Sequence, residues 1–221
     1  MPADILVAFA RHQDERSTGS AAAWLEICTA ALLELPGVSA ARPFTVNVVL
    51  GERPPAFHPD LVMCQLDGWG NHTADANAAL ERASRSSGAA GANGVDVVAW
   101  QGTSVGVRED FDLSPHLYLQ FSAHPPSLSF EEYSDWYQVH QDENIAQSPV
   151  LARGWRYRLE PLGGAERAGP THLALYEIDG ALETLTADLG RAMAAGVISL
   201  PDWFTRFASL EGIAVGGRLT P

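Results

Sequence analysis

The chain of 221 residues contains no lysine, so all 14 of its basic side chains are arginines, and its formal net charge is −13. Phosphate groups are recognised through basic patches, which a composition this acidic does not favour. We therefore expect neither a nucleic acid nor an anionic membrane as a partner. The acidity instead favours solubility.

Cysteine is also scarce, since only Cys28 and Cys64 occur. Two cysteines form no disulfide framework and no metal-binding pattern, and they predict two buried thiols in a reducing compartment. No apolar run reaches the roughly 18 residues that span a bilayer. Residues 1–7 lack the basic and long apolar regions of a signal peptide. A cytoplasmic location is the resulting expectation.

The sequence does contain an internal repeat. Residues 24–68 recur about 112 positions later: Trp24 matches Trp136, residues 36–44 match 149–157, and residues 61–68 match 173–180. Solenoid repeats are shorter, at roughly 20–50 residues. The repeat therefore indicates a duplicated α+β unit whose copies pack on each other to cover their sheets. We predict domains at 1–110 and 111–221, with the candidate site in the second.

Both copies predict the element order β-α-β-β-α-β. In the first copy, strands are predicted over 5–10, 41–50, 61–66 and 95–100, and helices over 20–35 and 73–86. In the second, strands are predicted over 117–121, 153–159, 172–178 and 213–218, with helices after a capping box at Ser129-x-x-Glu132 and over 182–195. This order is that of the ferredoxin-like split βαβ unit. Two such sheets can face one another or close into a barrel.

Residues 130–140 (FEEYSDWYQVH) and 174–179 (ALYEID) carry a motif. A Trp-Tyr-x-x-His on the first helix, followed by Tyr-Glu-hydrophobic-Asp on a central strand, resembles the dimeric α+β barrel superfamily and most closely its EthD-like group. The resemblance covers the second half, and reaches the first only through the repeat, where Cys28 stands in place of His140. It implies an α+β fold in which two ferredoxin-like repeats pack sheet to sheet as one intrachain barrel, with a homodimer as a possible assembly.

His140 is the candidate catalytic residue. Tyr133, Trp136, Tyr137 and His140 follow helical spacing and so share one face, directed at the sheet or the barrel interior. Burial among aromatic rings would lower the pKa of the imidazole, which could then act as a neutral general base or, once charged, donate a proton. The alternative is a core histidine bonded to a backbone carbonyl.

Tyr157 is the second candidate catalytic residue, because an inward hydroxyl could stabilise an enolate. Strand alternation places Trp155 on the same face as Tyr157 and Arg156 on the other. Asn144 shares the helix face of His140 and could orient a substrate carbonyl. Ordinary packing, or a solvated helix end for Asn144, is the alternative. The predicted substrate-binding residues are Trp136, Tyr137, Asn144, Trp155 and Tyr176.

Other motifs are weaker. The G-x-S-x-G pattern at 102–106 has no helical stripe after it and predicts a hinge or strand-end turn rather than a nucleophile elbow. The glycines between 88 and 94 precede a strand, so they predict a loop and not a dinucleotide site. His124 and His172 lie near strand ends, and with His140 they leave a metal or haem site open.

Members of the resembling superfamily include cofactor-independent monooxygenases, lactone isomerases, polyketide cyclases, dehydratases and haem enzymes, so the fold does not settle the function. The interpretation we favour is an enzyme without a cofactor or metal. It would perform acid/base chemistry, as an isomerase, cyclase, dehydratase or lyase, on a small hydrophobic or aromatic metabolite. The alternatives are a non-catalytic module that binds a small molecule or a partner protein, and a haem- or metal-dependent member of the superfamily.

Overall fold

The computed structural model describes residues 4–11, 18–50, 60–67, 73–87, 96–105, 114–163, 169–198, 200–204 and 208–216. The first half comprises β1 (Asp4–Arg11), α1 (Thr18–Leu33), β2 (Val38–Leu50), β3 (Asp60–Leu66), α2 (Thr73–Ser87) and β4 (Asp96–Val105). The second half comprises β5 (His116–Ser122), α3 (Phe130–Gln147), β6 (Leu151–Gly163), β7 (His172–Ile178), α4 (Leu182–Ala194) and β8 (Ala208–Gly216). Both halves therefore have the predicted β-α-β-β-α-β order.

The eight strands form one closed antiparallel barrel in the order β1-β3-β2-β8-β5-β7-β6-β4. The first half contributes the run β4-β1-β3-β2 and the second the run β8-β5-β7-β6, which is the same ferredoxin-like order. The two sheets meet edge to edge, where β2 pairs with β8 and β4 pairs with β6. The prediction of an α+β barrel built from two ferredoxin-like units in one chain is confirmed.

Strand pairing places the two halves in matching register. Leu6 pairs with Cys64 in the first half, and Tyr118 pairs with Tyr176 in the second. Tyr118 follows Leu6 in the sequence by the same number of residues as Tyr176 follows Cys64. The pairing of β2 with β3 is irregular between residues 38 and 40, and that of β6 with β7 between 151 and 153. The paired strand positions that the structure describes in one half therefore have identifiable counterparts in the other.

Side chains at alternate strand positions point to opposite faces of the barrel wall, and they form three separately packed regions. The barrel interior is filled by apolar residues from both halves, among them Ile5, Phe44, Leu119, Trp155 and Tyr157. An eight-stranded barrel has an interior just wide enough for side chains to fill. The outward faces pack against helices in two separate layers: α1 and α2 cover the first half, while α3, α4 and residues 200–204 cover the second.

Among the strand boundaries that the structure corrects are the ends of β4 and β6. Residues 102–105 continue β4 instead of forming the predicted hinge or strand-end turn, and the Ser104 amide donates to Asp4 Oδ1 at 3.2 Å. This part of the G-x-S-x-G pattern is strand and not an elbow, whereas Gly106 and the glycine-rich residues 88–94 lie outside the described residues. Strand β6 extends to Gly163, beyond the predicted end at 159.

Both cysteines are free and buried, as predicted. Burial raises the pKa of each thiol, and the proximity of Cys64 adds to the effect on Cys28. Within the described ranges, no helix is long and apolar enough to cross a membrane.

Candidate functional site

Helix α3 positions the candidate histidine, and its start is fixed by the predicted capping box. The Ser129 hydroxyl accepts from the Glu132 amide at 3.2 Å, and the Glu132 carboxylate accepts from the Ser129 amide at 2.8 Å. These two bonds satisfy amides at the helix N-terminus that would otherwise have no partner. The helix therefore presents a fixed stripe of aromatic residues to the outer face of the second-half sheet.

His140 lies within this stripe and is 2% exposed. Its ring stacks on Trp136, with centroids 5.0 Å apart and planes 10° apart, and meets Tyr137 edge-on at 5.6 Å. Phe204, from the segment before β8, contacts the same ring at 5.6 Å. The imidazole is thus enclosed by aromatic groups, in the layer between α3 and the sheet.

A chain of hydrogen bonds connects His140 to the sheet. Asn144 Nδ2 lies 3.2 Å from His140 Nε2 and donates to the Tyr176 hydroxyl at 3.1 Å. Tyr176 in turn donates to Gln120 Oε1 at 3.4 Å, and the Tyr137 hydroxyl donates to the same oxygen at 2.8 Å. Asn144 is 3% exposed, so the alternative of a solvated helix end is wrong for it.

This network assigns the proton of the neutral imidazole. Because the Tyr176 hydroxyl donates to Gln120, it accepts from the Asn144 amide, whose second hydrogen is then available to His140 Nε2. Nε2 is therefore the acceptor and Nδ1 carries the proton. His140 Nδ1 is buried and has no hydrogen-bond partner among the described residues, so the alternative of a histidine bonded to a backbone carbonyl is not what these residues show.

Burial also determines the charge of the ring. It lowers the pKa of His140 from 6.5 to about 4. At neutral pH only about one ring in a thousand is then protonated. A neutral imidazole with so low a pKa is a weak base, and what it offers a ligand is the Nδ1–H hydrogen-bond donor.

Tyr157 and Trp155 do not belong to this layer. Both side chains face the barrel interior, whereas His140 and its partners lie on the opposite side of the sheet. The prediction that alternation separates them from Arg156 is confirmed, since Arg156 bonds to α3. The expectation of one pocket formed by His140, Trp136, Tyr137, Trp155 and Tyr157 is wrong, because one layer of strands separates the two groups.

The corresponding layer of the first half is apolar at each of these positions. Leu6, Cys28, Leu32 and Cys64 occupy the places of Tyr118, His140, Asn144 and Tyr176, and all four pack in one hydrophobic cluster. Ala8 stands where the second half has Gln120. The fold therefore does not require polar groups here, and the hydrogen-bonded network is specific to the second half.

The other two candidate histidines, His124 and His172, lie near the start of α3. Thr171 Oγ1 is 2.9 Å from His172 Nδ1 and 3.2 Å from His124 Nδ1, and Phe130 stacks on His172 at 4.8 Å. Burial, reinforced by His124 and by Arg156 and Arg158, lowers the pKa of His172 to about 3. The structure thus brings two of the three candidate histidines together and leaves His140 among aromatic rings.

The surroundings of these histidines bear on the metal and haem alternatives. In the part of the chain that the structure describes, no group of three or more His, Cys, Asp or Glu side chains is placed to hold a metal ion. A haem on His140 would need room for a macrocycle beside a ring that already contacts Trp136, Tyr137 and Phe204 within 5.6 Å. The described residues therefore fit neither a metal ion held by such a group nor a haem on His140.

Sequence reasoning missed Gln120, Phe204 and Arg156 as members of this layer. Gln120 accepts hydrogen bonds from two tyrosine hydroxyls, Phe204 packs against His140, and Arg156 hydrogen-bonds the sheet to α3. The repeat itself carries a signal for two of them, because Gln120 aligns with Ala8 and Arg156 with Pro43. Where one half has a polar residue and the equivalent position of the other half is apolar, the fold alone does not explain the polar residue.

Comparison with solved structures supports the fold. A candidate chlorite dismutase superposes with a TM-score of 0.54 over 99% of this chain and 96% of its own, at 7% sequence identity. An anthrone oxidase-like protein (TM-score 0.47, 13% identity, 99% and 92% coverage) and a candidate monooxygenase from Lactobacillus acidophilus (0.46, 9%, 99% and 95%) are more distant. No protein-family model and no curated protein matches the chain. At such identities the likeness shows an α+β barrel and leaves the reaction open.

Proposed function

We propose that this protein is an enzyme that needs no cofactor and acts on a small aromatic or otherwise apolar metabolite in the layer between α3 and the second-half sheet. The reaction class is acid/base chemistry at a carbonyl compound: an isomerisation, cyclisation, dehydration or lyase step. One observation carries the proposal. His140, enclosed by aromatic rings, keeps a buried Nδ1 without a partner among the described residues while Nε2 is held by Asn144.

The proposed role of His140 follows from its charge and its tautomer. A neutral Nδ1–H directed at a carbonyl oxygen stabilises the negative charge that develops there when hydroxide or a buffer base from the solvent takes the proton of the adjacent carbon and an enolate forms. Asn144 and Tyr176 act as positioning residues, because their hydrogen bonds hold the proton on Nδ1. This role replaces the general base expected from the sequence, since a pKa of about 4 leaves little driving force for accepting a proton.

The aromatic neighbours support an apolar substrate. Trp136 and Trp203 contact each other at 4.7 Å and are both half-buried, so this side of the layer approaches the surface. Flat rings at such a position offer stacking surface to a planar ligand. Tyr157, on the interior side of the barrel, has no part in this site.

Isotope exchange tests the proposal without knowledge of the natural substrate. The probe is 2-tetralone, an aromatic ketone, incubated with the full chain in D2O while NMR follows deuterium uptake at the carbon next to the carbonyl. We expect the protein to accelerate exchange about tenfold or more over an equal concentration of free imidazole, since enolate stabilisation lowers the barrier. His140→Phe, which keeps a ring against Trp136 but removes both nitrogens, should return the rate to background.

The first half provides a matched control. Cys28 occupies the position equivalent to His140, so Cys28→Ala makes a comparable change in a layer with no proposed chemistry. Its exchange rate should equal that of the wild type. Equal rates in wild type and His140→Phe would refute the catalytic proposal. If 2-tetralone also quenched tryptophan fluorescence saturably in both proteins, the result would favour the alternative of a module that only binds its ligand.

We also propose that the chain is a tandem duplication of an EthD-like unit, divided near residues 110 and 111. The matching strand order, register and irregularities of the two halves support a common origin. Separate expression of residues 1–110 and 111–221 tests the division. Two fragments that associate into a folded complex would support it, and fragments that stay unfolded when mixed would count against it.

A further inference from the structure

Arg156 is a buried charge in the same layer. It lies on β6 between two barrel-facing residues, points towards α3 and is 9% exposed. Its Nη1 donates to the Ser134 carbonyl at 2.5 Å and to the Ser134 hydroxyl at 3.1 Å, and its Nη2 donates to Gln138 Oε1 at 2.8 Å. All of these acceptors are neutral. These bonds use three of the five guanidinium N–H donors, and the other two have no acceptor in the part of the chain that the structure describes.

The charge of Arg156 has no direct counter-ion among the residues that the structure describes. It takes part in no ion pair with a described residue, whereas Arg153 on the same strand pairs with Glu177 at 2.6 Å. Burial lowers the pKa of Arg156, an effect that nearby tyrosines and the exposed Asp142 and Asp135 oppose at longer range. A guanidinium stays charged in proteins, so its burial without an anion is unfavourable.

The fold does not demand this arginine. Arg156 lies opposite Ala174 in the barrel, and its counterpart in the first half, opposite Val62, is Pro43. The first half thus packs its helix on its sheet with no cation at this point. A buried charge that is costly to the fold and absent from the equivalent layer indicates a role in binding.

Arg156 and His140 are connected through shared neighbours. Tyr137 contacts the imidazole at 5.6 Å, and it lies on α3 between Ser134 and Gln138, the two residues that Arg156 bonds. Tyr176 also accepts from Asn144, which holds His140. Tyr137 therefore connects the part of α3 that bonds the cation to the part that carries the Nδ1–H donor.

We propose that Arg156 binds the carboxylate of the ligand, so that the protein acts on a small aromatic carboxylic acid whose second oxygen function reaches His140. This inference rests on the proposed function and names its substrate class. A guanidinium fork matches the two oxygens of a carboxylate. A single arginine neutralises one negative charge, which favours a carboxylate over a doubly charged phosphate in a protein of net charge −13.

Two probes of nearly equal shape test the inference: 1-naphthoate and its neutral analogue 1-naphthamide. Each is titrated into the full chain while tryptophan fluorescence is recorded. We expect wild type to bind naphthoate about tenfold or more tighter than naphthamide, because charge-assisted bonds exceed neutral ones. In Arg156→Gln the preference should fall to within about twofold, and Arg153→Gln, which removes a cation already paired, should keep it.

The wild-type titration decides the question even if Arg156→Gln does not fold. Naphthamide binding as tightly as naphthoate, or no saturable naphthoate binding up to about millimolar concentration, would overturn the inference. Arg156→Lys gives a second reading, since it keeps the charge but loses the fork, and an unchanged preference there would place the recognition in charge alone.

The naphthoate titration and the 2-tetralone exchange can succeed or fail independently of each other. His140→Phe removes the proposed reaction but should leave the naphthoate preference intact. If the protein does not accelerate exchange of 2-tetralone but still prefers naphthoate, the carboxylate site at Arg156 is supported and the proposed reaction is refuted. If the protein accelerates exchange but binds naphthoate no tighter than naphthamide, the proposed reaction is supported and the carboxylate inference is refuted.

Discussion

The low pKa of His140 predicts a measurable dependence of stability on pH. The ordinary imidazole value of 6.5 applies to the unfolded chain, and burial lowers it to about 4 in the folded protein. Between these values the unfolded state binds more protons than the folded state, so stability rises with pH and is lost as pH falls. The contribution is complete above about pH 6.5 and decreases below it.

The size of this loss of stability follows from the two pKa values of His140. At about pH 5.5, the unfolded imidazole is mostly protonated while the folded one is not, and the linkage relation gives about 1.4 kcal/mol of lost stability relative to pH 7.5. Urea unfolding followed by tryptophan fluorescence, at both pH values, measures it. Wild type should lose about 1.4 kcal/mol more than His140→Gln over this step.

The comparison with the variant isolates His140, because His172, whose pKa burial lowers in the same direction, is present in both proteins. His116→Gln, which removes an exposed imidazole at the start of β5, is the control and should follow wild type. Parallel pH profiles for wild type and His140→Gln would refute the burial argument, since they would mean that the ring titrates alike in both states.

Three further predictions concern packing, capping and thiol accessibility. Gly154→Ala should destabilise the protein by about 1–3 kcal/mol in urea unfolding, because a Cβ there would lie 2.9 Å from Cδ of the buried Gln141 side chain; an unchanged midpoint would show that this side chain gives way freely. Ser129→Ala should cost about 1 kcal/mol by the same assay through loss of the capping box, and no loss would mean that water replaces the cap. Cys28 and Cys64 should not react with Ellman's reagent until urea unfolds the chain, because both thiols are fully buried and their pKa values are raised; labelling of the native protein would contradict their placement.

The order of elements could be predicted from the sequence because its signals are local. The capping box at Ser129 and Glu132 starts α3 where expected, and β7 has the predicted bounds, His172–Ile178. The repeat added information about topology, since two copies of one element order predict two sheets of one strand order. Strand ends were less predictable: Gly102 and Gly163 belong to strands, because pairing between β4 and β6 extends both.

The site was only partly predictable, for a reason that lies in the barrel itself. Strands whose two faces are both covered, one by the barrel interior and one by helices, lose the contrast between apolar and polar positions. Alternation grouped Trp155 with Tyr157 correctly, yet nothing in the sequence stated that this face was the interior. His140 and Asn144 could be grouped because they lie on a helix, where spacing fixes the shared face.

The single-chain construction of the barrel has a consequence for how its sequence can change. In a barrel made from two identical chains, every substitution occurs twice, and a polar residue tolerated on one side must be tolerated on the other. Here β2–β8 and β4–β6 join halves with independent sequences. The helix-covered layer of the first half can remain apolar and stabilise the molecule, which leaves the same layer of the second half free to accept a buried imidazole and a buried arginine.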